Sequence, residues 1–168
     1  MSGGGTLFTG LRAAAYGTVF LGAWLWLAWR AHLETGRLGI PMPEWAHGVG
    51  ILLMGLGGGL ALVCVAIFAV RGRGTPAPFD PPREFVATGP YRWVRNPMYV
   101  GGFLLLAGYA LCAGSAEALV VAFGMLAAAH LFVVLYEEPS LRRRFGAGYE
   151  AYLRRTPRWL PRLRGRGA

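Results

Sequence analysis

Four apolar stretches limit what this chain can fold into. They run roughly over residues 13–29, 47–70, 98–113 and 118–136, and none holds an aspartate, a glutamate or an arginine. A helix of about 20 apolar residues satisfies its own backbone polar groups while crossing about 30 Å of hydrocarbon. The last two stretches sit near the lower end of that length. The pattern predicts an all-α integral membrane protein, a helical bundle of about four transmembrane helices plus a cytoplasmic amphipathic C-terminal helix. Residues 1–70 are expected to form an N-terminal transmembrane helical pair. Residues 71–168 are expected to form a second unit, with a cytoplasmic connector, a two-helix transmembrane hairpin and the C-terminal helix.

The 17 basic residues are all arginine, and the net charge is +9. A nucleic-acid-binding domain would place such charge along one soluble face. Here the arginines cluster between and after the apolar stretches, so nucleic acid is not an expected partner. The distribution reads instead as membrane topology and contact with anionic lipid headgroups. With both termini cytoplasmic, fifteen arginines fall inside and only Arg30 and Arg37 fall outside. The expected protein is therefore multi-pass, with both termini on the cytoplasmic side. Trp24, Trp26 and Trp29 crowd the end of the first stretch and fit an interfacial belt. That stretch is long and Trp-rich and no A-x-A-like site follows it, so a cleavable signal peptide is not expected. Cys64 and Cys112 each lie in an apolar stretch without metal spacing, so they read as small hydrophobes and no metal site is expected.

The run GLGGGLA, residues 55–61, lies inside the second stretch. No strand precedes it, so it is not a phosphate-binding loop. Small residues there let helices approach closely, within one chain or between copies, and the oligomeric state stays open. The connector from residue 71 to residue 96 is too rich in proline and glycine for a long helix. Pro97 is tolerated in a first helical turn, so a helix is expected to begin there. Gly114 and Ser115 mark a tight turn. In the tail, Leu141, Phe145, Tyr149, Tyr152 and Leu153 recur at helical spacing, which predicts a surface helix weakened at Gly146 and Gly148.

The stretch GPYRWVRNPMYVGG, residues 89–102, enters the third apolar stretch from the cytoplasmic side. The hairpin then returns the chain to that side at the adjacent pair Glu137 and Glu138. The two polar features can therefore meet. Two glutamates at a helix end in the headgroup zone can simply be solvated; beside anionic lipid and at the negative C-terminal end of a helix, they otherwise call for a cation. Arg92 or Arg95 could supply it as a structural ion pair, or a cationic ligand could. Arg95-Asn96-Pro97 also reads as a helix start whose arginine binds lipid phosphate. Tyr91, Trp93 and Tyr99 also read as interfacial anchors. His130 lies about two turns before Glu137 and is expected to face the protein interior in a packing or hydrogen-bonding role.

Taken together, GPYRWVRNPMYVGG, the hairpin and EEPSLRRRFGAGYEAYLRRTPRWLP resemble the isoprenylcysteine carboxyl methyltransferase and phospholipid methyltransferase group of membrane enzymes. The resemblance covers residues 83–161. It implies S-adenosyl-L-methionine as methyl donor, held at the cytoplasmic ends of the last helices beneath the C-terminal segment. It also makes residues 71–168 the catalytic region. By matching positions it implies that Arg83, Glu84, Phe85, Val86, Tyr91, Asn96, Pro97, Met98 and Tyr99 line the cofactor. Glu137, with Glu138 beside it, takes the acidic position. Arg95 and Glu137 are the expected catalytic residues. The chemistry agrees: a glutamate suits the cofactor's ammonium or ribose, an arginine its carboxylate, and tyrosine rings its adenine or sulfonium.

Asn96 stands where the family often has histidine, and since asparagine does not titrate, no acid–base role is expected there. The prenylcysteine enzymes carry an arginine shortly before the glutamates, whereas HLFVVLY has none. The acceptor, a carboxylate, thiol or amine on a small lipophilic or lipid-linked molecule, stays open. Two other readings remain. Sterol-type reductases that use NADPH share a similar RxPxY stretch but tend to carry an acidic residue where this chain has Gly102. A non-catalytic helical membrane protein could use the same motif as a lipid anchor.

Overall fold

The computed structural model describes residues 3–38, 40–67 and 87–161. Among them there is no strand; the elements are α1 (Gly3–His32), α2 (Trp45–Ile67), α3 (Pro97–Cys112), α4 (Ala116–Phe132) and α5 (Glu138–Arg155). A short 3₁₀ turn, Gly89–Arg92, precedes α3, and a π-helical turn, Val133–Glu137, joins α4 to α5. α2 is long and apolar enough to cross a membrane, and so is the continuous helical run that starts at Ala116. α3 is a shorter apolar helix of 16 residues. Leu52, Leu56 and Leu62 on α2 are each more than half exposed, a surface suited to hydrocarbon rather than water.

Local chemistry sets the boundaries. Pro97 opens α3, where its missing N–H costs nothing. Ser115 caps α4 by accepting the Ala118 N–H at 3.1 Å. Pro139 cannot donate to the carbonyl four residues back, and its ring crowds that carbonyl. The turn before it widens, and Glu138 donates its N–H to Val133 five residues back. The helix therefore continues past the glutamate pair. This corrects the expectation that the pair sits at a negative helix end, because Glu138 occupies the first turn of α5. The tail helix breaks at Gly146, with φ 51° and ψ −130°, while Gly148 stays helical. That bend lets Arg142 reach Glu150 at 3.3 Å.

α2 packs on α3, α3 on α4, and α4 on α1. α2 and α3 are antiparallel and nearly touch backbone to backbone. A Cβ on Gly57 would lie 2.6 Å from the Gly101 carbonyl, and one on Gly50 would lie 2.6 Å from the Gly108 carbonyl. The small-residue reading of residues 55–61 therefore holds at Gly57 and Ala61, which are buried. Gly55 and Gly59 face open space. On the other side of α3, Ala28, Leu106, Ala110, Ala118, Ala122 and Met125 form the main apolar core.

The antiparallel hairpin sorts the polar groups into two ends. At one end the Leu38 N–H donates to Glu117 at 3.0 Å, and the His47 ring lies 3.1 Å from the Cys112 carbonyl. At the other end the start of α3 meets the end of α4.

The close approach of α2 and α3 has a direct test. Gly57→Ala is expected to destabilise by about 1–3 kcal/mol, because a methyl group must push two backbones apart. Gly59→Ala is expected to be neutral or slightly stabilising, since helical alanine is favoured over glycine. Thermal unfolding in detergent compares them; equal effects would contradict this packing.

Candidate functional site

The segment before α3 is held from several sides. Tyr91 is buried beside Cys64 of α2, and its carbonyl accepts the Tyr152 hydroxyl at 2.6 Å. The Arg95 N–H donates to the Pro157 carbonyl at 2.9 Å. Asn96 is buried and its amide donates to the Arg158 carbonyl at 3.3 Å. A strap of residues 156–159, just beyond α5, thus lies against the entry to α3. Trp159 extends it, donating from its indole Nε1 to His130 Nδ1 at 3.1 Å and meeting the Tyr99 ring edge-on at 6.5 Å.

The two glutamates have different surroundings. Glu138 is buried, and both of its oxygens are bonded. Arg158 donates from Nε to Oε1 at 2.8 Å and from Nη2 to Oε2 at 3.0 Å. Arg95 donates from Nη1 to Oε1 at 2.8 Å. Burial works against the charge on Glu138, but the two guanidiniums outweigh it and hold the carboxyl below its ordinary range. The same bond strengthens the protonated form of Arg158. Glu137 is half-buried and has no cationic partner among the described residues. It accepts from the Tyr99 hydroxyl at 3.4 Å.

Arg95 has unmet capacity. Among the described residues its side chain makes one bond, to Glu138, and its buried Nε has no acceptor. A buried donor of this kind is costly unless something supplies an acceptor.

The structure thus brings together Tyr91, Arg95, Asn96, Pro97, Met98, Tyr99, Glu137 and Glu138 at one end of the bundle. Arg83, Glu84, Phe85 and Val86 lie outside the described residues. The three rings considered as anchors separate: Tyr91 is buried, Tyr99 bonds Glu137, and Trp93 is 66% exposed, as an interfacial anchor would be. His130 is exposed rather than interior-facing, yet it does take a hydrogen-bonding role through Trp159. Arg158 and Trp159 were not singled out from sequence. The signal available was TPRWLP, where prolines end the helix and allow the chain to turn back on the site.

A guanidinium and a carboxyl with unmet capacity among the described residues, beside the Tyr99 hydroxyl, suit a small ligand that carries both charges. The sequence model of the phospholipid methyltransferase family matches residues 45–148, from the start of α2 into α5. The nickel-cobalt-cadmium resistance protein NccN of Alcaligenes xylosoxydans xylosoxydans is 37% identical over 83 residues, covering 48% of this chain and 37% of that protein. The match thus spans little more than a third of that relative's length. No solved structure matches the chain.

The difference between the glutamates predicts different losses on mutation. Glu138→Gln leaves two guanidiniums without their counter-ion and is expected to cost about 3 kcal/mol of stability. Glu137→Gln removes no ion pair and is expected to change stability by less than about 1 kcal/mol. Because the folded Glu138 carboxyl is held low, its contribution is present above the ordinary carboxylate range and disappears as pH falls through that range and below. Thermal unfolding of both variants at neutral and acid pH reads this; equal losses would contradict the assignment.

Proposed function

Since the chain belongs to the phospholipid methyltransferase family, we propose that it moves a methyl group from S-adenosylmethionine to a small lipophilic or lipid-linked acceptor at the cytoplasmic membrane surface. When bound, S-adenosylmethionine supplies a methyl group made electrophilic by its sulfonium, and it offers an ammonium, a carboxylate and an adenine for recognition.

The single observation that carries this reading is the unequal state of the adjacent glutamates. Glu138 is already neutralised by Arg95 and Arg158. Glu137 keeps a carboxylate that meets only a tyrosine hydroxyl among the described residues. Glu137 is the group to hold the ammonium. Arg95, with donors left over, is the group to hold the carboxylate through a charge-assisted pair. Tyr91, Asn96, Pro97, Met98 and Tyr99 are proposed to line the cofactor between them; Arg83 to Val86, the other residues proposed to contact it, lie outside the described residues. Glu138 supports Arg95 from behind.

The work of these residues is orientation. Methyl transfer is an in-line displacement, so alignment and exclusion of water dominate over proton transfer. Asn96 fits that role: its amide ties the start of α3 to the strap and does not titrate near neutral pH. Apolar helix surface beside the site gives a lipophilic acceptor a lateral route, while the soluble cofactor enters from the cytoplasm. The arginine distribution supports a multi-pass arrangement with this end of the bundle inside. The acceptor atom stays a carboxylate, thiol or amine.

Ligand-induced stabilisation tests the reading. Purified protein is expected to melt at higher temperature with S-adenosylmethionine or S-adenosylhomocysteine and to be unmoved by NADPH. Glu137→Gln is expected to weaken S-adenosylhomocysteine binding about tenfold while the unliganded melting temperature holds. Stabilisation by NADPH alone would favour the reductase reading instead.

A further inference from the structure

Arg158 lies beyond the residues that the family model matches, in the strap after α5. We infer that it is a positioning residue: by taking both oxygens of Glu138, it keeps the donors of Arg95 available for an anionic group of the ligand. The inference rests on the methyltransferase reading above, in which Arg95 meets the cofactor carboxylate.

A carboxylate offers two oxygens, and an arginine fork prefers to take both. At Glu138 the fork belongs to Arg158, through Nε at 2.8 Å and Nη2 at 3.0 Å. Arg95 is left a share of Oε1 through one terminal nitrogen, at 2.8 Å. Its Nε, buried and without an acceptor among the described residues, is what this competition leaves over. Without the Arg158 fork, Oε2 of Glu138 loses its donor. Arg95 then swings to chelate Glu138 with its own fork, and its remaining donors turn away from the ligand. Arg158 therefore acts on the ligand through Glu138 and Arg95, without touching it.

The strap does not depend on this side chain alone. The Pro157 carbonyl accepts from Arg95, the Arg158 carbonyl accepts from Asn96, and Trp159 bonds His130. A change confined to the Arg158 side chain leaves those ties in place. It therefore tests the charge competition rather than the fold.

The experiment is calorimetric titration of the full chain in detergent with two probes. S-adenosylhomocysteine carries the amino-acid carboxylate and ammonium, and 5′-methylthioadenosine carries neither. Arg158→Gln is expected to weaken S-adenosylhomocysteine about tenfold and to leave methylthioadenosine within about twofold of the wild type. Arg158→Lys keeps the charge but cannot fork, so it is expected to give the same pattern at about threefold. It decides the matter if Arg158→Gln fails to fold. Equal weakening of both probes would mark a purely structural residue and overturn the inference, as would no change for either. Failure of the unmutated chain to bind S-adenosylhomocysteine would instead remove the methyltransferase reading, and this assignment with it.

Discussion

Glu138, clasped between Arg95 and Arg158, is the interaction on which the site depends. Each charge would be costly to remove from water alone. Together they satisfy one another and join three parts of the chain distant in sequence: the entry to α3, the first turn of α5, and the strap. Main-chain bonds run alongside, from Arg95 to Pro157 and from Asn96 to Arg158. The strap is thereby fixed against the stretch that the family shares. The Glu137 carboxyl and the Arg95 Nε lie outside this cluster, and in the proposed function they are the groups that meet the ligand.

Packing of the apolar helices places that cluster. Glycines facing each other on α2 and α3 bring two backbones to near contact, which fixes α3 in depth and rotation. The turn after α3 sends α4 back along it, so the beginning of one helix and the end of the other share an end of the bundle. Pro139 then widens the helix at Val133–Glu137. That turn sets where the two glutamates point. Tyr99 receives one, and the arginines receive the other.

Much of this was legible in the sequence, because a membrane leaves few choices. Uncharged stretches near spanning length have to be helical, Pro97 has to sit in a first turn, and a hairpin has to return its end to the starting side. The meeting of residues 89–102 with Glu137 and Glu138 follows from that alone. The division of labour within the pair does not. Adjacent helical residues point about 100° apart, so a shift of part of a turn exchanges their environments. The π-helical turn imposes such a shift. Arg158 was hidden for a different reason. It is one of nine arginines in a basic tail, and nothing local separates a lipid-facing arginine from one that folds back onto a carboxylate. Likewise Tyr91, Trp93 and Tyr99 share one motif, and only burial tells anchor from site.

Methyl transfer at this end of the bundle is the proposed activity. Its most direct test is incubation of the purified chain, in lipid vesicles, with methyl-labelled S-adenosylmethionine and a membrane extract. Label is expected in an organic-soluble product, and only when the protein is present. A folded protein that binds the donor but transfers no label to any component of membrane or soluble extracts would contradict it.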